Sequence, residues 1–222
     1  MTPDRFQKLK DRLSRRQPDL TVLAEDVHKS HNISAVLRTA DAVGIQEIHA
    51  VSSGGELRRH HMISGGSKKW VAVKLHPDIQ TACATLHGAG FRILAAHPVA
   101  TAEDYRDVDY TGQIAILLGA ELDGVSSTAA ALADGFVRIP MEGMVASLNV
   151  SVAAALILYE ARRQREAAGL YRHSRLPADV LARTLFEWAY PEIAARCARQ
   201  KLPYPPLSDD GELLGNPLAP VR

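Results

Sequence analysis

A chain of 222 residues, 46% of them hydrophobic and 23% charged, can bury a core without staples and fits one globular domain with short appendages. No apolar run approaches the roughly 18 residues a membrane span needs, and the opening MTPDRFQKLKDRLSRR lacks a signal-peptide core, so the expected address is cytoplasmic. Cys83 and Cys197 have no CxxC partner and no histidine at ligand spacing, which leaves two buried free thiols as the expectation.

The formal net charge of +1 hides an uneven distribution. Arg5, Lys8, Lys10, Arg12, Arg15 and Arg16 crowd the first 16 residues against Asp4 and Asp11. Arg162, Arg163, Arg165, Arg172 and Arg175 form a second cluster, and Arg58, Arg59, Lys68, Lys69 and Lys74 a third. Residues 101–142 are acidic. Solvated helix faces explain any one cluster, but three of them in a nearly neutral chain point to a polyanionic partner, because counterion release favours Lys and Arg where phosphates dock.

In chain order, Phe6, Leu9 and Leu13 stand at helical spacing in a basic segment that Pro18 closes. Apolar runs then alternate with helical stretches. LTVLAED, IHAVSS, WVAVKL, FRILAAH, IAILLG and FVRIP read as strands, and NISAVLRTADAV and residues 77–86 as helices. That rhythm predicts an α/β fold with a parallel sheet, IAILLG being a central strand covered on both faces. SLNVSVAAALILYEARRQREA predicts one long helix from Ser147 to about Ala168, apolar first and basic at its end. Further helices are expected over 178–188 and from Pro191. The stretch from Lys201 onward holds five of the twelve prolines and reads as an extended or disordered arm.

Three segments place polar residues and glycines at the carboxyl ends of predicted strands, where open α/β sheets bind ligands. They are HKSHNISAVLRTADAVG with Asn32 and Arg38, LLGAELDGVS with Glu121, and IPMEGMVASLNVS with Ser147 and Asn149. Each taken singly has a structural account: Asn32 or Ser147 as a helix cap, Arg38 as a carboxylate partner, the glycines as turn formers. His31 adjoins Asn32 and is read as a loop or RNA contact; His60 and His61 are read as surface residues and Trp70 as a strand-initiating core residue. No GxGxxG turn opens the sheet, which argues against a dinucleotide-binding oxidoreductase.

In this order and spacing the three segments resemble the SpoU branch of the SPOUT methyltransferases. RRQPDLTVLAEDVHKSHNISAVLRTADAVG, ISGGSKKW and GMVASLNVSVAAALILYEARRQREAAGLY extend the likeness over residues 5–190. The resemblance implies a parallel sheet with a C-terminal trefoil knot, and four segments: a basic RNA-contacting helix over 1–18, the catalytic domain over 19–168, a helical extension over 169–200 and the proline-rich tail over 201–222. It implies S-adenosylmethionine as methyl donor, no metal, and a homodimer with composite active sites. The implied activity is 2'-O-methylation of a ribose in tRNA, at guanosine 18 of the D-loop. The alternatives are another tRNA position or ribosomal RNA, or a non-catalytic knotted RNA-binding protein.

Carried over by position, the family's catalytic set falls on Asn32, Arg38, Glu121, Ser147 and Asn149. Its cofactor contacts fall on Ala96, Gly119, Ile139, Met144 and Leu148. RNA contacts are expected from Arg5, Arg12, Arg15 and Arg16 at one end and from Arg163, Arg165 and Arg172 at the other. The family role for Arg38 is that of a base. A guanidinium with a pKa above ~12 is a poor proton acceptor, and a phosphate beside it raises that value further. Arg38 is better suited to hold a substrate phosphate and stabilise the developing 2'-alkoxide.

Overall fold

A computed structural model of the protein describes residues 1–51 and 69–215. Arg58, Arg59, His60, His61 and Lys68 lie outside the described residues, as does most of ISGGSKKW. The described residues divide into two compact units, one within Gln17–Leu170 and a second made of Met1–Arg16 with residues 171–215.

Gln17–Leu170 is built on seven parallel strands: β1 (Leu20–Glu25), β2 (Glu47–Val51), β3 (Ala72–His76), β4 (Arg92–Ala96), β5 (Glu103–Asp104), β6 (Ile114–Leu118) and β7 (Gly135–Arg138). Their order is β3-β2-β1-β6-β4-β7-β5. Strand β6 is buried along its whole length between β1 and β4, in register Leu20 with Ile114 and Ile93 with Ala115. Helices α2 (Ser30–Val43) and α5 (Val150–Ala167) cover one face, where Val22, Ile48, Ile116 and Leu118 meet Val36, Leu37, Ile157 and Leu158. Helices α3 (Ile79–Gly88) and α4 (Ser127–Leu132) cover the other, over Leu23, Ile93, Ala95 and Leu117. From β1 the chain proceeds to β2 on one side, whereas β6 leads to β7 on the other. The carboxyl ends of β1 and β6 therefore diverge at a topological switch point, the place where such sheets open a ligand crevice.

Local chemistry sets the ends of α2 and α5. Gly44, at φ +86°, ends α2. The long helix α5 starts three residues later than its apolar pattern predicts, because Asn149 takes the cap: its Oδ1 accepts from the Ser151 backbone N–H at 2.9 Å and from the Ser151 hydroxyl at 2.6 Å. Ser147 is thereby left in the loop ahead of the helix.

The second unit contains α1 (Pro3–Leu13), α6 (Ala178–Ala189) and α7 (Pro191–Gln200), with Phe6, Leu9 and Leu13 forming the buried side of α1. The proline-rich stretch, expected as an extended arm, is irregular but anchored over 201–215. Tyr204 stacks on Phe186 with ring centroids 4.6 Å apart, and the Tyr190 hydroxyl donates to the Gly211 carbonyl at 2.7 Å. Gly211 lies at φ +84°, where an added Cβ would stand 2.3 Å from the Phe6 ring, so the tail seals against α1 only with glycine there. Cys83 and Cys197 are free and buried.

Candidate active site

A cleft of about 520 Å³ opens at the carboxyl ends of β4, β6 and β7. Its lining gathers Gly119, Glu121, Ile139, Ser147, Leu148 and Asn149 from the second and third sequence segments and Lys29 from the first, together with Ala96, His97 and Arg138. Two loops make the walls. The loop after β6 doubles back through paired Ala120 and Gly124 backbones, at 2.9 and 3.0 Å. A Cβ on Gly119 would fall 2.1 Å from the Gly124 carbonyl, so this turn admits only glycine at 119. The far end of the loop is fastened to β1, where the buried Glu25 carboxylate accepts from both the backbone N–H and the hydroxyl of Ser126, at 3.1 and 2.6 Å.

A chain of hydrogen bonds joins three of the expected catalytic residues across α2, the β6 loop and the start of α5. The Asn32 amide donates to Glu121 Oε1 at 2.7 Å, and the Asn149 amide donates to Asn32 Oδ1 at 3.1 Å. The Lys29 backbone N–H also donates to Glu121 Oε1, at 3.3 Å. Asn32 is only 1% exposed, so its amide needs these partners, and both of its polar ends have one. Burial pushes the Glu121 carboxyl up, but the bonds from Asn32 and from the backbone N–H groups of Glu121, Lys29 and His28 outweigh it and hold the group below its ordinary range. Glu121 is thus a fixed anion that orients Asn32, not a proton donor.

The structure leaves other expected residues outside the cleft. Arg38 is exposed on α2 and does not line it. Six residues along a helix carry a side chain about 9 Å and roughly 120° away from Asn32, which faces inward. Met144 is fully exposed at the tip of the loop after β7, so it is not a lining residue either. Two of the expected RNA contacts are corrected. Arg165 is 0% exposed: it pairs with Asp19 at 2.7 Å and donates to the carbonyls of Tyr110, Asp19 and Gly112, which makes it a core cation. Arg16 is 3% exposed, with its guanidinium 4.9 Å from the centre of the Trp188 ring. Arg5, Arg12, Arg15, Arg163 and Arg172 are exposed. Sequence reasoning missed Lys29, which lies inside the first segment it selected, and His97, which directly follows the expected cofactor contact Ala96.

Comparison with known proteins places these features in a family. Residues 19–159 match the model of the SpoU rRNA Methylase family, and residues 163–216 that of the SpoU rRNA methylase C-terminal region. The second match carries the likeness through the proline-rich tail and corrects the expectation that it ends near residue 190. A tRNA (guanosine(18)-2'-O)-methyltransferase of Escherichia coli is 51% identical over 215 residues, covering 96% of this chain and 94% of that protein. Among solved structures, the TrmH/SpoU tRNA modifying enzyme of A. aeolicus superposes with a TM-score of 0.78 at 38% identity, over 85% of this chain and 96% of that one. The SpoU methyltransferase AviRb of Streptomyces viridochromogenes, in complex with AdoMet, gives a TM-score of 0.59 at 27% identity, over 71% and 62%.

Proposed function

Because the chain belongs to the SpoU rRNA Methylase family, we propose that it is a tRNA (guanosine-18 2'-O)-methyltransferase using S-adenosylmethionine. The observation that carries the reading is the Asn32–Glu121–Asn149 chain of hydrogen bonds beside a cleft at the carboxyl ends of β4, β6 and β7. The cleft has the volume of a nucleoside-sized pocket, and one wall is apolar, with Ala96, Leu118, Val137, Ile139, Leu148 and Ile157. Ala96, Gly119, Ile139 and Leu148 would hold the cofactor there, chiefly through loop backbone. When bound, the cofactor supplies a methyl group on a sulfonium, already an activated electrophile, so no metal is assigned a role.

The protein's part is positioning and charge stabilisation. Glu121 fixes the Asn32 amide, Asn32 fixes Asn149, and Asn149 sets the start of α5 and so the loop bearing Ser147. Ser147 would orient the target ribose. Arg38 would hold the substrate phosphate and stabilise the 2'-oxyanion. Its exposure and its position away from the cleft of its own chain favour action on the cleft of a second copy. A homodimer is further supported by an exposed apolar stripe on α5, Val152, Leu156 and Tyr159, with Val145 and Leu122 also exposed nearby in sequence to the cleft loops. The trefoil knot of the family is proposed for the segment that runs from β6 through β7 to α5.

Arg5, Arg12, Arg15, Arg163 and Arg172 remain the proposed tRNA phosphate contacts, with α1 and the helical extension as the RNA-binding segments flanking the catalytic domain. No helix among the described residues is long and apolar enough to cross a membrane, and the proposed location is the cytoplasm, where tRNA is modified. The deciding experiment incubates the purified protein and labelled S-adenosylmethionine with unmodified tRNA and maps the methylated nucleotide. Label at the 2'-oxygen of guanosine 18 is expected; absence of label from every tRNA would overturn the proposal.

A further inference from the structure

The lining of the cleft contains one lysine and one arginine among the described residues, beside His97, and the two differ in commitment. Arg138, at the end of β7, donates its Nε–H to the Ala102 carbonyl at 3.1 Å, beside the apolar wall that suits the adenosyl group. Lys29 also lines the cleft and is exposed. Its ammonium has no hydrogen bond or ion pair among the described residues. Its backbone is not loose, because the Lys29 N–H is held by the carboxylate that also holds Asn32. A cation without a partner among the described residues is thus placed in the lining of the cleft, one hydrogen bond from the chain that orients the site.

Resting on the methyltransferase reading above, we infer that Lys29 is a substrate-contacting residue whose ammonium binds a phosphodiester of the target nucleotide. The residue type fits this task. A lysine on a four-carbon stem meets a phosphate as a point charge and tolerates the approach of a flexible ribose-phosphate, while its fixed backbone keeps that charge within reach of the cleft. Glu121 Oε1 holds the Asn32 amide and the Lys29 N–H, and no ion pair joins this carboxylate to the Lys29 ammonium among the described residues. Lys29 immediately precedes α2 and serves the cleft of its own chain, so it adds a phosphate contact to the one proposed for Arg38, which is exposed on α2 and acts on the cleft of a second copy.

The test compares the full-length protein with Lys29→Met and Lys29→Arg. Methyl transfer to unmodified tRNA, tRNA affinity over a series of salt concentrations, and S-adenosylmethionine affinity by calorimetry are measured for each. Lys29→Met is expected to lower kcat/KM for tRNA about ten- to a hundred-fold, as loss of one charge-assisted contact does. It is also expected to make the slope of log affinity against log salt shallower by close to one, with cofactor affinity unchanged. Lys29→Arg should restore most of the loss, and thermal unfolding should match the parent in both variants. An unchanged salt slope in Lys29→Met overturns the inference. So does a loss confined to cofactor affinity, which would show the ammonium pairing with the cofactor carboxylate. If the parent protein binds tRNA but methylates none, the activity fails on its own, and the salt slope still decides the role of Lys29.

Discussion

At the scale of single residues, two arginines that look alike in sequence have opposite fates. Arg165 and Arg163 belong to one basic run, yet Arg165 makes hydrogen bonds to Gln17, Asp19, Tyr110 and Gly112 from a fully buried position, whereas Arg163 pairs with Glu160 at 2.7 Å with its side chain 68% exposed. Removing a guanidinium from such a network takes the Arg165 ion pair from the Asp19 carboxylate and strips the buried carbonyls of Tyr110, Asp19 and Gly112 of that donor. Arg165→Ala should therefore cost roughly 3 to 5 kcal/mol of stability, read as a lower midpoint in urea. Arg163→Ala should leave that midpoint in place and weaken tRNA binding instead. A different test belongs to Arg38. If a planar, forked cation stabilises the reacting oxygen, Arg38→Lys should lower single-turnover methyl transfer by about a hundred-fold while cofactor affinity is unchanged. Near-normal turnover would remove Arg38 from the chemistry.

At the scale of elements, β2 and β3 are joined by a histidine pair that no sequence motif announced. His49 Nδ1 and His76 Nε2 stand 2.8 Å apart, and the rings are only 12° from parallel with centroids 5.0 Å apart. That separation is accounted for by the short contact plus two ring radii, so the rings meet edge to edge, one donating and the other accepting. The bond needs at least one neutral imidazole. Burial, then His76 and Lys74, push His49 down to about 4, and His76 is lowered by burial and Lys74 against the opposing pull of Asp78. Glu47, with an oxygen 3.6 Å from His49 Nε2, is itself raised by burial. The sign follows: histidines that titrate lower in the fold than in the unfolded chain contribute stability that is complete above about pH 6.5 and is lost as pH falls toward 4. The thermal midpoint should fall between pH 7 and pH 5, and His49→Phe should flatten that profile. Strands and helices of four residues or more outside the β6 to β7 connection were legible from periodicity. The two-residue β5 and six-residue α4 were not, because neither is long enough to display a period. The core role of Arg165 had a readable signal: Leu158, Ala161 and Arg165 share one side of α5, and all three are buried. Asn32, Glu121 and Asn149 were found by their place in the segments, but the bonds between residues 89 and 117 positions apart needed the sheet order to become visible.

At the scale of the whole molecule, the open question is how many chains complete one active site. The α5 stripe exposes Val152, Leu156 and Tyr159 at 46, 38 and 51%, and Arg38 is exposed away from the cleft that holds Ser147. A glutamate at 156 would place a charge in the middle of an apolar contact, so Leu156→Glu should yield monomers in sedimentation and abolish methyl transfer. A complementation experiment separates a composite site from mere dimer stability. Arg38→Ala and Ser147→Ala are each expected to be inactive as pure proteins. If Arg38 of one subunit serves the cleft of the other, a mixed dimer contains one cleft with both residues intact and one with neither. If each subunit serves itself, both clefts of the mixed dimer lack one residue. Random reassembly of equal amounts makes half of the dimers mixed, each with one working site of two, so activity should return to about a quarter of the parent value. No return of activity would assign Arg38 to the cleft of its own chain and would require the α2 helix to turn toward it when tRNA binds.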